Sequence, residues 1–259
     1  MDNPPFRFQP VLLEVAARAI LRTHIDYQAY SLPRTWDGEE LKELNAILCG
    51  PGIEVVQERT VTSAIALDFN RLRISAGWAT GHDGDPRNYL IETEVNYEDL
   101  DESFKINRSG AKPSADLVAW TLTRDGRVVD KSRPPVVIEA KRARLFSVRP
   151  DGIDPGAPQA SRASEDAEWL AKLVKAAGCR GWLLAWGVYE RNLRVSATSF
   201  FEDVNKKVDK DEEKVVVEEM LCRWVPIAWQ RSNGSNPPIV DKWVWVALGE
   251  LRCSKDKVD

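Results

Sequence analysis

Histidine is nearly absent from this chain: 259 residues contain only His24 and His82. That excludes metal hydrolases built on several histidines and the zinc deaminase pattern. Cysteine is scarce as well. Cys49, Cys179, Cys222 and Cys253 lie far apart with no C-x-x-C spacing, which argues against a zinc site and for a reducing compartment. The chain has no G-x-x-x-x-G-K-[ST] loop, no G-x-S-x-G elbow and no G-x-G-x-x-G fingerprint. P-loop ATPases, elbow-type serine hydrolases and dinucleotide-binding enzymes are therefore not expected. No apolar run approaches a membrane span, and the start, Met1 to Phe6, lacks the basic and apolar regions of a signal peptide. The expectation is a soluble, cytoplasmic protein with no membrane partner.

What is present describes an ordinary globular chain, 43% hydrophobic and 29% charged. Its length suits one α/β domain over 1–259: a helical and strand region at 1–100, a core at 101–198, and a C-terminal helix and β-hairpin region at 199–259. Tryptophan is plentiful, with ten residues. Most sit in apolar runs and are expected in the core, with base stacking as the alternative for one or two.

The spacing predicts a helix from about Pro10 to Tyr30, with Glu14, Arg18, Arg22 and Asp26 as a polar stripe. A second helix is expected over Glu39 to Leu48. Ile53–Glu58, Ala64–Ser75 and Asn88–Tyr97 have the look of strands. In the last, Glu92, Glu94 and Asn96 would share one face. Gly81 to Pro86 is expected to be a surface turn, and Val148 to Ser161, rich in Pro and Gly, a loop. Ser164-Glu165-Asp166 predicts a helix start and Gly178 its end, followed by a buried strand from Gly181 to Tyr189. Ser199 to Met220 is charged and partly helical, with Phe200, Val204 and Val208 as its apolar stripe. Two strands, Cys222–Gln230 and Ile239–Leu248, close the chain.

The chemistry concentrates in two strand-like runs. The first, Ala115 to Leu122, carries Asp116. The second, Pro135 to Lys141, carries Glu139 and Lys141 on one face with Val137, while Val136, Ile138 and Ala140 take the other. The turn-like Thr123 to Arg127 follows the first run. Charges at the end of an apolar strand cost free energy unless something offsets their desolvation, and a metal ion would do so.

Asp116 followed by Glu139-Ala140-Lys141, then helix and strand, resembles the PD-(D/E)XK nuclease superfamily, most visibly from Lys112 to Tyr189. Ala115 stands where that family has proline, with Pro113 two residues back. The resemblance implies a restriction-endonuclease-like fold, a mixed central sheet flanked by helices, here with additional N- and C-terminal elements. It implies Asp116 and Glu139 as ligands of Mg²⁺ (or Mn²⁺), and Lys141 orienting or helping to deprotonate the attacking water. The family's helix before the core often supplies another acid, which makes Glu14 a candidate. Glu94 is a second.

Net charge is −4, yet Lys105 to Arg149 holds eleven basic residues against four acidic ones, a net of +7 that leaves −11 for the rest. A basic block around an acidic motif suits a phosphodiester substrate. DNA is the expected partner, with Arg142 and Arg144 holding neighbouring phosphates, and self-association is open. The alternatives are a nuclease-like fold without cleavage that serves as a nucleic-acid-binding or scaffold module, and an unrelated α/β domain whose acids merely end strands.

Overall fold

Apolar residues at helical spacing decide the N-terminal third. In the computed structural model, which describes residues 8–30, 56–75, 85–104, 114–123, 127, 136–143, 146–149, 152–155, 157–190, 197–208, 215–230 and 239–253, the first element is helix α1, Phe8–Tyr30. The second is also a helix, α2, Glu58–Ser75. This corrects the expectation of strands over 64–75 and up to Glu58. Val61, Thr62, Ile65, Ala66 and Phe69 are buried along one helical stripe, and that period outweighs the β-branched residues that suggested strands. The expected helix at 39–48 and the turn at 81–84 lie outside the described residues.

The sheet follows. Strand β1 is Tyr89–Asn96, and a single turn of helix, α3, Tyr97–Leu100, leaves its end. Then come β2, Ser114–Thr121, and β3, Val136–Ala143. A short hairpin, β4 (Phe146–Arg149) with β5 (Gly152–Pro155), precedes helix α4, Ala157–Ala177. The expected loop over 148–161 is thus corrected to a hairpin and a helix start. Its Pro and Gly fall where they are tolerated: Gly152 opens β5, Pro155 ends it, and Pro158 stands in the first helical turn. Ser164 is consequently buried inside α4 and does not cap it. Gly178, at φ +64°, terminates that helix as expected, its N–H donating to the Val174 carbonyl at 3.0 Å. Strand β6 (Arg180–Glu190), helix α5 (Ala197–Val208) and the long hairpin β7 (Val215–Gln230) with β8 (Ile239–Cys253) complete the order.

The six-stranded mixed sheet runs β1-β2-β3-β6-β8-β7. Only β3 and β6 are parallel, with α4 in the crossover between them; the other neighbours are antiparallel. One face packs on α1 and α2 through Phe8, Ile65, Phe69, Ile138, Trp182 and Trp186. The other packs on α4 and α5 through Val137, Leu170, Phe200, Val204, Leu183 and Trp245. The result is an α/β architecture with helices on both faces. Among the described residues no helix is long and apolar enough to cross a membrane.

The core beneath α4 and α5 needs glycine at two close approaches. A Cβ on Gly187 would sit 2.6 Å from the Trp245 ring, so the indole lies directly over the β6 backbone. At Gly181 it would meet Val174 and Leu170 of α4 at 2.7 and 2.9 Å.

One irregularity positions the site. Glu94 has φ 56°, left-handed for a residue within a strand. Before it, Tyr89 and Ile91 belong to the core beneath α1 and α2; after it, Val95 and Tyr97 belong to the core beneath α4 and α5. The single kink therefore exchanges the faces of β1 and ends the expected alternation of Glu92, Glu94 and Asn96. It also turns Tyr97 onto the face that carries Glu139.

Candidate active site

Recorded pairing between β2 and β3 runs only from Ala119↔Val136 to Leu117↔Ile138. Beyond that point the main-chain donors of β3 turn to side chains. The N–H of Ala140 donates to Asp116 Oδ2 at 2.7 Å, and that of Arg142 donates to Glu58 Oε1 at 3.0 Å. Two carboxylates thus replace a strand's carbonyls along one edge of β3.

Glu139, 5% exposed, accepts a short hydrogen bond from the Tyr97 hydroxyl. The Asp116 and Glu139 carboxyl groups are close enough to influence each other's protonation. Burial, only partly offset by the Ala140 N–H and the Lys141 charge, pushes Asp116 up to about 6. Burial, then the charges of Asp116 and Asp166, raise Glu139 well above the usual carboxylate range. Burial and the neighbouring Glu139 likewise raise the Tyr97 phenol.

Lys141 lies on the same face of β3. Its Nζ is 2.7 Å from Asp166 Oδ2 on α4 and 3.5 Å from Glu58 Oε2 at the start of α2. Burial works against its charge, but Asp166 and Glu58 outweigh that and hold the ammonium above its usual range. Asp166 is itself raised, chiefly by burial, with Lys141 acting in opposition.

Asp116, Glu139 and Lys141 are therefore brought together as the sequence suggested. The other candidates are not. Arg142 is 6% exposed, and its guanidinium donates to the Val56 carbonyl at 2.6 Å, tying β3 to the segment that leads into α2. This corrects its expected place on a substrate phosphate. Arg144 and most of the basic run from Lys105 to Arg149 lie outside the described residues. Glu14 pairs with Arg18 at 3.0 Å and with Arg223 at 3.4 Å, the latter on β7 at the far edge of the sheet. Glu94 falls across from Asp116 by register, but its carboxylate goes toward Arg59 at 3.8 Å.

Glu58, Tyr97 and Asp166 escaped the sequence reading. Glu58 was the end of an expected strand and Asp166 one of two acids at an expected helix start. Tyr97 was placed on the opposite face from the acids of β1. A helical period across 58–69 was the one available signal for Glu58.

Asp116 and Glu139 offer only oxygen donors, the set preferred by a hard divalent cation, and a cation would offset the charge that burial disfavours on them. Among the described residues no group of three His, Cys, Asp or Glu side chains is arranged to hold a metal ion. The protein would then contribute two ligands and leave the rest to water and substrate, as Mg²⁺ sites often do. No family model, no curated protein and no solved structure matches the chain.

Proposed function

We propose that this protein is a Mg²⁺-dependent nuclease that hydrolyses phosphodiester bonds of DNA, with Asp116 and Glu139 as cation ligands and Lys141 as the charge beside the scissile phosphate. The proximity of the buried Asp116 and Glu139 carboxyl groups, with the Lys141 ammonium held alongside, carries this reading. The restriction-endonuclease-like fold is the finer architectural reading. It draws support from the order helix, three antiparallel strands, crossover helix and parallel strand in α2, β1–β3, α4 and β6.

When bound, the cation would polarise a phosphate oxygen and lower the pKa of a coordinated water. The side chains are set beforehand. Asp116 is fixed by the Ala140 N–H and Glu139 by the Tyr97 hydroxyl, so neither has to reorganise to present its oxygens. Lys141, held as an ammonium, has no lone pair with which to accept a proton. Its part is to orient the attacking water and to donate to the charge that builds on the phosphoryl oxygens.

The test is single-turnover cleavage of end-labelled DNA and RNA, each single- and double-stranded, with Mg²⁺ supplied or removed by EDTA. Cation-dependent cleavage of DNA is expected. Cation-dependent binding without cleavage would favour the binding-module reading, and indifference to both cation and nucleic acid would exclude the proposal.

A further inference from the structure

Lys141 has two acidic neighbours besides the proposed cation ligands, and they are not equivalent. Glu58 is already committed: its Oε1 accepts the Arg142 N–H at 3.0 Å, and its Oε2 stands 3.5 Å from Nζ. Asp166 makes the close contact, 2.7 Å, and comes from the opposite side, on α4. The lysine side chain is 18% exposed, so its ammonium has few alternatives in water. The charge of Asp116 also reaches it.

We infer that Asp166 is a positioning residue that draws the Lys141 ammonium toward α4 and so keeps it off the Asp116–Glu139 carboxylates, leaving that pair open to a divalent cation. The inference rests on the proposed cation site. Electrostatics gives its logic. A lysine beside two carboxylates makes an ion pair with whichever is nearest and least committed, and a lysine paired with Asp116 would compete with a cation for the same oxygens. Asp166 supplies a closer partner on another element. Lys141 then serves as a fixed charge next to the site instead of a plug within it.

The roles of Asp166 and Lys141 can be separated by measuring Mn²⁺ binding, without any substrate, by electron paramagnetic resonance and calorimetry. Asp166→Asn keeps the size of the side chain and removes its charge. It should weaken Mn²⁺ binding by about tenfold, the scale of one coupled charge pair. Adding Lys141→Met to that variant should restore the affinity, because the competing ammonium is gone. Asp166→Glu, which keeps a carboxylate on α4, should stay close to the parent and serves as the second probe if Asp166→Asn folds poorly. Melting temperatures check that each variant is folded.

Cleavage adds a second readout. Asp166→Asn should need more Mg²⁺ for half-maximal rate yet recover at saturating cation, whereas the double variant should bind the cation and cut poorly. Unchanged Mn²⁺ affinity in Asp166→Asn, or a loss that Lys141→Met does not restore, would overturn the inference. A parent protein that binds no Mn²⁺ would instead overturn the cation-site reading beneath it.

Discussion

Asp116 accepts the main-chain N–H of Ala140 at 2.7 Å and so stands in for a strand carbonyl where the recorded pairing between β2 and β3 has ended. The same carboxyl group lies close enough to Glu139 for its charge to raise that acid. One side chain therefore both closes the backbone and forms half of the acidic pair. That double duty separates the consequences of removing its charge from those of removing its oxygen.

Asp116→Asn retains an oxygen acceptor for Ala140 while relieving the buried acidic pair, so its stability at pH 8 should equal or exceed that of the parent. Asp116→Ala leaves the Ala140 N–H without its acceptor and should fall about 1–3 kcal/mol below Asp116→Asn. Urea denaturation of the metal-free proteins measures the difference.

Metal-free stability should fall as pH rises from about 4 to 6. The folded protein holds Asp116 up to about 6 against an ordinary value of 3.8, so across this window it binds more protons than the unfolded chain. The contribution is complete below the unfolded value and lost as pH passes the folded one; it amounts to about 3 kcal/mol at most. Glu139, raised in the same sense, extends the decline upward. Saturating Mg²⁺ should reverse the loss above pH 6, and Asp116→Asn should flatten the profile.

The sequence made the β2 and β3 segments legible because their apolar runs are continuous up to the charges at Asp116, Glu139, Lys141 and Arg142. The buried strand at Gly181–Tyr189, the stop at Gly178 and the C-terminal hairpin were legible for similar local reasons. Helix α1 was legible from its spacing as well, but α2 was not. Val61, Thr62 and Ile65 are β-formers by preference, and only their packing against α1 and the sheet makes them a helix. Tyr97 was hidden by the kink at Glu94, a backbone event that alternation cannot anticipate. Arg142 looked like a phosphate ligand by its charge, and only its burial against Val56 assigns it elsewhere.

Arg142→Ala should accordingly act on the fold. Losing the guanidinium bridge to the Val56 carbonyl and its buried stem should cost about 2–4 kcal/mol. If the folded variant binds DNA in Ca²⁺, its salt slope should match the parent's, because no phosphate contact has been removed. Chemical denaturation and a salt series of binding isotherms test the two halves.

Tyr97→Phe removes the donor to a buried acid and should lower stability by about 1–3 kcal/mol. Gly187→Ala should cost a similar amount for an unrelated reason, since a methyl group would press into the Trp245 ring at 2.6 Å. The two are distinguished by Mn²⁺ affinity. It should weaken in Tyr97→Phe, whose Glu139 is no longer held, and remain at the parent value in Gly187→Ala.

Whether the paired carboxylates of Asp116 and Glu139 support hydrolysis of a phosphodiester is decided by the rate at which Glu139→Gln cuts a labelled DNA duplex in Mg²⁺. The substitution keeps the shape of the side chain and an acceptor for the Tyr97 hydroxyl, so the variant should fold. The parent should cut with Mg²⁺ and not in EDTA, and the folded variant should be slower by about a hundredfold or more. A Glu139→Gln protein that folds like the parent and cuts at the parent's rate would contradict that role for the pair.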